Sequence, residues 1–274
     1  MHLAGQRWMK NKNYISKVWD QIDPILFPLR CPVCDALLAP EEIENGIHSF
    51  CRKKLYVLYG TTCMHCGRPL GDDEEYCLEC QRIGYVSKSL YAKSAKSPQN
   101  DKTNKSYISQ GKAIYLYRGE IKKSMYRFKY GNRRAYAKYF AKEAMLLYGD
   151  WIKKQKIQAI VPIPMFKRKQ RRRGYNQAEC FGQALSELLE IPLETKLIRR
   201  VKDTIPQKEL GETERKNNLE NAFQIEKSIV QYSHLLLIDD IYTTGSTAEA
   251  AAKELNKKGV CQIFVLSICI GGDM

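Results

Sequence analysis

Two adjacent carboxylates followed by a short loop of hydroxyl-bearing residues form the segment best suited to chemistry. The apolar run Leu235–Ile238 has the pattern of a buried parallel strand, and Asp239 and Asp240 follow it directly. Next comes a loop of small residues: Thr243, Thr244, Gly245, Ser246 and Thr247. Residues 248–258 favour a helix, and free N–H groups at a helix N-terminus bind phosphate. Since paired carboxylates accept hydrogen bonds from vicinal hydroxyls, the segment predicts a ribose 5-phosphate site. The alternative is an ordinary strand–turn–helix.

This segment resembles the phosphoribosyl-pyrophosphate (PRPP) signature of type I phosphoribosyltransferases. The resemblance implies that Asp239 and Asp240 bind the ribose hydroxyls and that Thr243–Thr247 bind the 5-phosphate. Magnesium is expected with PRPP, mainly through the oxygens of the ligand, because Mg²⁺ keeps several waters and favours phosphate.

A second set of chemically active residues lies near the front of the chain. Seven of the ten cysteines fall between Cys31 and Cys80. Six of them form three pairs with two residues between the members, and the seventh, Cys51, has the same spacing from His48. This spacing lets two ligands reach one tetrahedral zinc ion. Two tandem zinc ribbons, and so about two zinc ions, are predicted. Their ligands would be Cys31, Cys34, His48 and Cys51 in the first ribbon and Cys63, Cys66, Cys77 and Cys80 in the second.

Alternatives remain for the first ribbon. His48 replaces a cysteine, which is chemically reasonable for zinc, but an ordinary surface histidine would leave the first site empty. A second alternative is a crossed pairing, in which the first two-ligand knuckle (Cys31 and Cys34) shares a zinc ion with the third (Cys63 and Cys66). His65 lies inside a knuckle and is expected to be a spectator.

Basic and aromatic residues alternate between Arg118 and Lys138, where eight basic residues accompany one acid. Stacking aromatics and phosphate-pairing cations are the components of a surface that binds single-stranded nucleic acid. The alternative is a pair of amphipathic helices with their aromatic residues in the core. The candidate DNA contacts are Arg127, Lys129, Tyr130, Arg133 and Arg134, with Tyr126 beside them.

A cationic loop is predicted at residues 167–173, after the short buried strand Ala159–Pro164. A basic loop at the carboxyl end of a parallel strand belongs in the ligand crevice. It would bind pyrophosphate or a DNA backbone; a solvated basic loop is the alternative. The residues are Lys167, Arg168, Arg171, Arg172 and Arg173. A polar segment with Gln207, Arg215 and Asn218 is predicted to be a mobile loop over the substrate.

Composition supports an anionic partner, because the formal net charge is +15 over 274 residues. We predict no membrane span and no signal peptide, and therefore a cytoplasmic protein with reduced cysteines. The predicted divisions are an N-terminal extension (1–30), a double zinc-ribbon domain (31–86), a flexible linker (87–112) and an α/β domain (113–274).

Taken in order, the motifs resemble the ComF family of competence proteins. They are the cysteine knuckles, Phe128–Gly131, Val161–Pro164, Arg173–Gln177, and Asp239-Asp240 with Thr244–Thr247. The resemblance implies a type I phosphoribosyltransferase-like parallel sheet flanked by helices, with an N-terminal double zinc ribbon. It also implies handling of single-stranded DNA during natural transformation, with PRPP as a ligand.

Three hypotheses follow for the function. The first is a DNA-binding competence protein with a PRPP site. The second is an active phosphoribosyltransferase whose acceptor and catalytic residues are unknown. The third is a zinc-ribbon adaptor to a DNA-uptake helicase, with a vestigial PRPP site.

Overall fold

Two compact units, Met1–Lys53 and Lys54–Met274, make up the chain. The computed structural model describes residues 29–82, 106–203, 221–226 and 232–271. Most of the predicted N-terminal extension and linker lies outside these residues. So do Gln207, Arg215 and Asn218 of the predicted mobile loop.

The described part of the first unit is a small fold built around one cysteine-containing turn and one cysteine-containing helical turn. Cys31 N donates to Ala36 O at 2.9 Å, and Asp35 N donates back to Cys31 O at 2.9 Å. A 3-10 turn at Pro40–Glu42 and the one-turn helix α1 (Ser49–Arg52) follow. Few apolar side chains are buried among residues 29–53, so this described part needs another source of stability, such as a metal.

The second unit is organised by a four-stranded parallel sheet. Its strands are β1 (Gln110–Leu116), β2 (Ala159–Pro162), β5 (His234–Tyr242) and β6 (Gln262–Ile270). They lie in the order β1-β6-β5-β2. The two central strands β5 and β6 are buried almost throughout their apolar lengths, as expected for a parallel sheet covered on both faces. A separate antiparallel pair is formed by β3 (Ile198–Arg200) and β4 (Phe223–Ile225).

Helices cover both faces of the parallel sheet. After the one-turn helix α2 (Leu78–Arg82), they are α3 (Glu120–Tyr130), α4 (Tyr136–Lys154), α5 (Lys167–Arg173), α6 (Gln177–Leu189) and α7 (Ser246–Asn256). Helix α6 packs closely on one face, where Gly182 lies against Ile160 and Ile238. On the other face, Leu235 and Leu237 share an apolar cluster with α7 and with the cysteines of the second knuckle pair.

The predicted parallel sheet with flanking helices is confirmed. Strand β2 ends at Pro162 and helix α7 begins at Ser246, each two residues earlier than expected, and there are three larger local differences. Strand β5 continues through Asp239 and Asp240 to Tyr242, because β6 keeps pairing with it as far as Ile270. Strand β1 begins at Gln110, inside the range predicted as linker, because Gln110 pairs with Phe264.

The third difference concerns residues 167–173, which form helix α5; the prediction of a loop there was wrong. Lys, Arg and Gln are good helix formers, and Gly174 ends the helix in the left-handed region with a φ of 86°. Within the described residues, none of the helices combines the length and apolarity that a bilayer crossing needs.

Candidate ligand site and metal centres

The two predicted carboxylates lie near the carboxyl end of the central strand β5. Asp240 N donates to Asp239 Oδ1 at 2.8 Å, so the strand backbone orients the first carboxyl group. Burial, together with the neighbouring charge of Asp240, raises the pKa of Asp239 to about 7. Burial and mutual repulsion make it unfavourable to ionise both carboxyl groups. Such a pair at the carboxyl edge of a parallel sheet is typical of a ligand site.

Lys129 supplies the cation that the acid pair needs. Its Nζ lies 3.0 Å from Asp240 Oδ2, and both side chains are largely buried. Although burial opposes the charged form, the Asp240 carboxylate holds the pKa of Lys129 above its usual value. The sequence indicates Lys129 as a candidate DNA contact. In the structure, Lys129 forms an ion pair with Asp240.

Arg200 of strand β3 is a second cation near these carboxylates, and sequence reasoning missed it. Burial lowers the pKa of Arg200, while the carboxylates of Asp239 and Asp203 act in the opposite direction. The only sequence feature that could have indicated Arg200 is the pair Arg199-Arg200 at the end of a short apolar run. That pattern is also common on strands that face solvent, so it did not single out a binding residue.

The segment Thr243–Thr247, here called the hydroxyl loop, follows β5, and its last two residues, Ser246 and Thr247, are the first two residues of α7. Gly245 adopts a φ of 76°, and an added Cβ there would overlap the Tyr242 hydroxyl. The hydroxyls of Thr244 and Ser246 lie 2.7 Å apart. The eleven-residue helix α7 begins at Ser246, so its positive dipole end faces this loop. The loop therefore combines hydroxyls with the N–H groups of a helix start.

Two exposed tyrosines, the exposed Arg134 and the partly exposed Arg173 lie beside this site. Tyr126 and Tyr130 are 66% and 60% exposed, and their ring centroids lie 5.0 Å apart. The Arg173 guanidinium lies 4.9 Å from the Tyr130 ring centroid, and its Nη2 donates to Tyr130 Oη at 3.3 Å. Arg134 Nη2 donates to Gly174 O at 3.2 Å. These contacts join the two basic segments that the sequence treated separately, and we call the result the basic aromatic face.

Other residues of the two basic segments divide between core and solvent. Phe128, Tyr136 and Tyr139 are buried, so the alternative of core aromatics holds for these three. Arg168 and Lys169 both pair with Asp203. Arg127 and Arg133 are of intermediate exposure, and Lys167, Arg171 and Arg172 are exposed.

The first predicted zinc-ligand set is gathered in the structure. The ligand atoms of Cys31, Cys34, His48 and Cys51 all lie within 4.8 Å of one another. His48 Nδ1 is 3.2 Å from Cys34 Sγ and 3.8 Å from Cys51 Sγ. The other ring nitrogen, Nε2, lies 3.1 Å from Leu37 O, the partner that orients a metal-binding imidazole. The donor set fits zinc, with Nδ1 as the ligand atom.

The second predicted set is gathered as well, and it is buried. The thiols of Cys63, Cys66, Cys77 and Cys80 all lie within 4.8 Å of one another. Cys66 Sγ and Cys77 Sγ are 3.6 Å apart. Zn–S bonds of about 2.3 Å place two sulfurs about 3.8 Å apart in a tetrahedron, so this set also fits zinc. His65 lies outside the set, with Nδ1 3.4 Å from Cys80 Sγ.

Comparisons with known proteins agree with the ribbons. The family model described as a double zinc ribbon domain matches residues 23–81. "Competence protein F" of Haemophilus influenzae is 31% identical over 244 residues, which cover 87% of this chain and 96% of the relative. The chain belongs to the ComF family. The predicted family and double zinc ribbon are therefore confirmed.

Further relatives extend the ComF comparison. "Competence protein ComFC" of Bacillus subtilis is 29% identical over 247 residues, covering 84% of this chain and 90% of the relative. "DNA utilization protein YhgH" of Escherichia coli K12 is 36% identical over 110 residues, covering 40% and 48%. Among solved structures, an adenine phosphoribosyltransferase from Thermoanaerobacter pseudethanolicus is 16% identical. It covers 47% of this chain and 79% of the other, with a TM-score of 0.30.

Proposed function

We propose that this ComF protein binds single-stranded DNA during DNA uptake in natural transformation and carries a PRPP–Mg²⁺ site. The observation that carries the proposal is the acid pair Asp239-Asp240, balanced by Lys129, at the strand end that leads into a helix N-terminus. The names of the relatives support a role in competence and DNA utilisation. The proposed compartment is the cytoplasm, and a DNA-uptake helicase is the proposed protein partner.

In the proposed PRPP site, two parts of the structure bind two different groups of the ligand. The carboxylates of Asp239 and Asp240 accept hydrogen bonds from the ribose hydroxyls. The hydroxyl loop and the start of α7 bind the 5-phosphate through hydroxyls and N–H groups. Lys129 and Arg200 bring positive charge to a site that must hold a polyanion. Magnesium would be held mainly by ligand oxygens and waters.

The proposed DNA site is the basic aromatic face. Successive bases stack on exposed aromatic rings regardless of sequence, and cations neutralise the backbone phosphates. Tyr126 and Tyr130 offer adjacent exposed rings, and Arg173 lies against the second of them. The exposed Arg171 and Arg172 extend the positive charge along α5. An overall charge of +15 favours the same class of partner.

One series of titrations tests both the proposed PRPP site and the proposed DNA site. Single-stranded DNA is titrated with and without PRPP and Mg²⁺, and PRPP binding is measured by calorimetry. Three proteins are compared: the wild type, Asp239→Ala/Asp240→Ala, and the control Asp150→Ala, which removes an exposed carboxylate on α4. The double variant is expected to lose PRPP binding and to retain DNA binding.

The outcomes separate the hypotheses. Unchanged PRPP affinity in the double variant would exclude the proposed ribose site. Equal affinity for duplex and single strand, or binding that persists at about 0.5 M salt, would argue against phosphate neutralisation on a single strand. Those results would favour the helicase-adaptor hypothesis.

A further inference from the structure

Arg68 connects the second zinc ribbon to the hydroxyl loop. It lies two residues after the ligand Cys66, and its Nη2 donates to Thr243 O at 3.1 Å and to Gly271 O at 3.3 Å. Its Nη1 forms an ion pair with Glu79, which stands in α2 next to the ligand Cys80. One guanidinium therefore joins the metal knuckles to the backbone where the hydroxyl loop begins.

The backbone on the ribbon side of this connection is held tightly. Gly111 N of strand β1 donates to His65 O at 2.5 Å. Gly67 lies so close to the same strand that an added Cβ would come within 2.6 Å of Gly111 O. Lys112 Nζ donates to Thr62 Oγ1 at 3.0 Å. The segment that carries Arg68 is thus fixed between two metal ligands and the edge of the sheet.

Tyr242 provides a second connection between the ribbon and the loop. Its side chain is buried, and its hydroxyl lies directly against Gly245 of the hydroxyl loop. Its ring shares one apolar cluster with the four cysteines of the second metal site. The ring therefore belongs to the packing around that site and also abuts the residue that precedes α7.

We infer that Arg68 makes the second zinc ribbon a support of the hydroxyl loop, so that zinc in this ribbon and PRPP in the loop bind cooperatively. This inference rests on the proposed PRPP site. Zinc fixes Cys66 and with it the backbone that carries Arg68; a ribbon of this size loses its fold without the metal. The Thr243 carbonyl then loses a charged donor, and the loop loses the alignment that an anion requires. Coupling between two binding sites is reciprocal, so PRPP must also retain zinc.

The first test compares Arg68→Ala, Arg68→Lys and the control Arg82→Ala, an exposed arginine at the end of α2 on the same ribbon. Zinc content is measured by elemental analysis and PRPP–Mg²⁺ affinity by calorimetry. Arg68→Ala is expected to bind PRPP at least about fivefold more weakly, the lower range of typical coupling between sites. Arg68→Lys keeps the charge without the forked geometry and should show an intermediate loss. Arg82→Ala should match the wild type.

The second test keeps Arg68 and the second ribbon intact. Cys31→Ser/Cys34→Ser removes the first metal site, which belongs to the other unit, and leaves one zinc per chain. Zinc affinity is measured by equilibrium competition with a zinc-selective dye, with and without PRPP–Mg²⁺. We expect PRPP to raise the zinc affinity at least about fivefold.

These measurements separate the inference from the proposed function. Absence of PRPP binding in the wild type would overturn the proposed PRPP site itself. PRPP binding by the wild type, with a zinc affinity of the second ribbon that the ligand does not change, would overturn the inference alone. So would a zinc-loaded Arg68→Ala protein that binds PRPP as tightly as the wild type.

Discussion

Lys129 Nζ lies 3.0 Å from Asp240 Oδ2, so the last turn of α3 reaches the acid pair of strand β5. The next residue, Tyr130, is 60% exposed and contacts Arg173 on the basic aromatic face. Adjacent residues of one helix therefore serve two surfaces: Lys129 balances the buried carboxylates, and Tyr130 faces solvent. This division leads to opposite expectations for the two side chains.

Lys129→Ala should weaken PRPP–Mg²⁺ binding and leave DNA binding nearly unchanged. Removing the ammonium leaves Asp240 without its cation and increases repulsion of the polyanion. We expect a loss of about 1.5–3 kcal/mol in calorimetry, the usual range for a hydrogen bond to a charged group. The control is Lys123→Ala, on the exposed side of the same helix. A weaker dependence of DNA affinity on salt in Lys129→Ala, with PRPP affinity intact, would show instead that Lys129 contacts DNA.

Asp239→Asn should stabilise the second unit, and more so as the pH rises. The pKa of Asp239 is raised to about 7, so the folded state holds this proton more tightly than the unfolded chain. Its contribution to stability is greatest at low pH and is lost as the pH rises through the folded pKa. Between pH 6 and 8 the advantage of Asp239→Asn should grow by about 1 kcal/mol. Urea unfolding monitored at several pH values measures it; a constant difference would contradict the raised pKa.

The protein should carry about two zinc ions per chain, and His48→Ala should retain about one. His48 Nδ1 lies 3.2 Å from Cys34 Sγ, within the first cluster of four ligand atoms. Elemental analysis after purification without chelators checks the count. His234→Ala is the matched control, since His234 lies at the start of β5 and belongs to neither ligand set. One zinc ion in the wild type, unaffected by His48→Ala, would remove the first site.

Tyr126→Ala and Tyr130→Ala should each weaken binding of single-stranded DNA by about 1–3 kcal/mol per stacked base. The dependence of affinity on salt should remain nearly the same, because no charge is removed. Fluorescence anisotropy over a range of salt concentrations measures both quantities. Tyr59→Ala removes another exposed tyrosine, which lies outside the basic aromatic face, and serves as the control. Equal losses at Tyr59 and Tyr130 would show that stacking is not localised there.

Arg171→Glu/Arg172→Glu should lower both the DNA affinity and its salt dependence. For a single strand, the slope of log K against log salt is about −0.7 per phosphate contacted. Loss of contacts at both residues should make the slope shallower by about 1.4. Lys153→Glu/Lys154→Glu at the end of α4 makes the same change in charge at exposed positions elsewhere. A similar effect from both pairs would indicate that only net charge matters.

The sequence by itself determined the groups whose chemistry depends on short spacings. Two-residue separations between ligands were enough to predict both zinc sets, because a knuckle is a local structure. The sequence also predicted the buried strand, the acid pair and the hydroxyl loop. A run of apolar residues indicates a buried strand, and the small polar residues after it indicate the strand end and a helix start. Composition indicated an anionic partner without placing it on the surface.

Only the tertiary structure decided which distant groups meet. Lys129 reaches Asp240, Arg68 reaches Thr243, and Arg173 reaches Tyr130, because the strand order β1-β6-β5-β2 brings their elements together. The sequence left the aromatics of segment 118–138 open between core and surface. Periodicity shows that a helix has an apolar side, but packing against α4 decides that Phe128 is buried while Tyr126 and Tyr130 remain exposed. Contacts of long sequence separation depend on the whole arrangement of strands and helices, which no local pattern encodes.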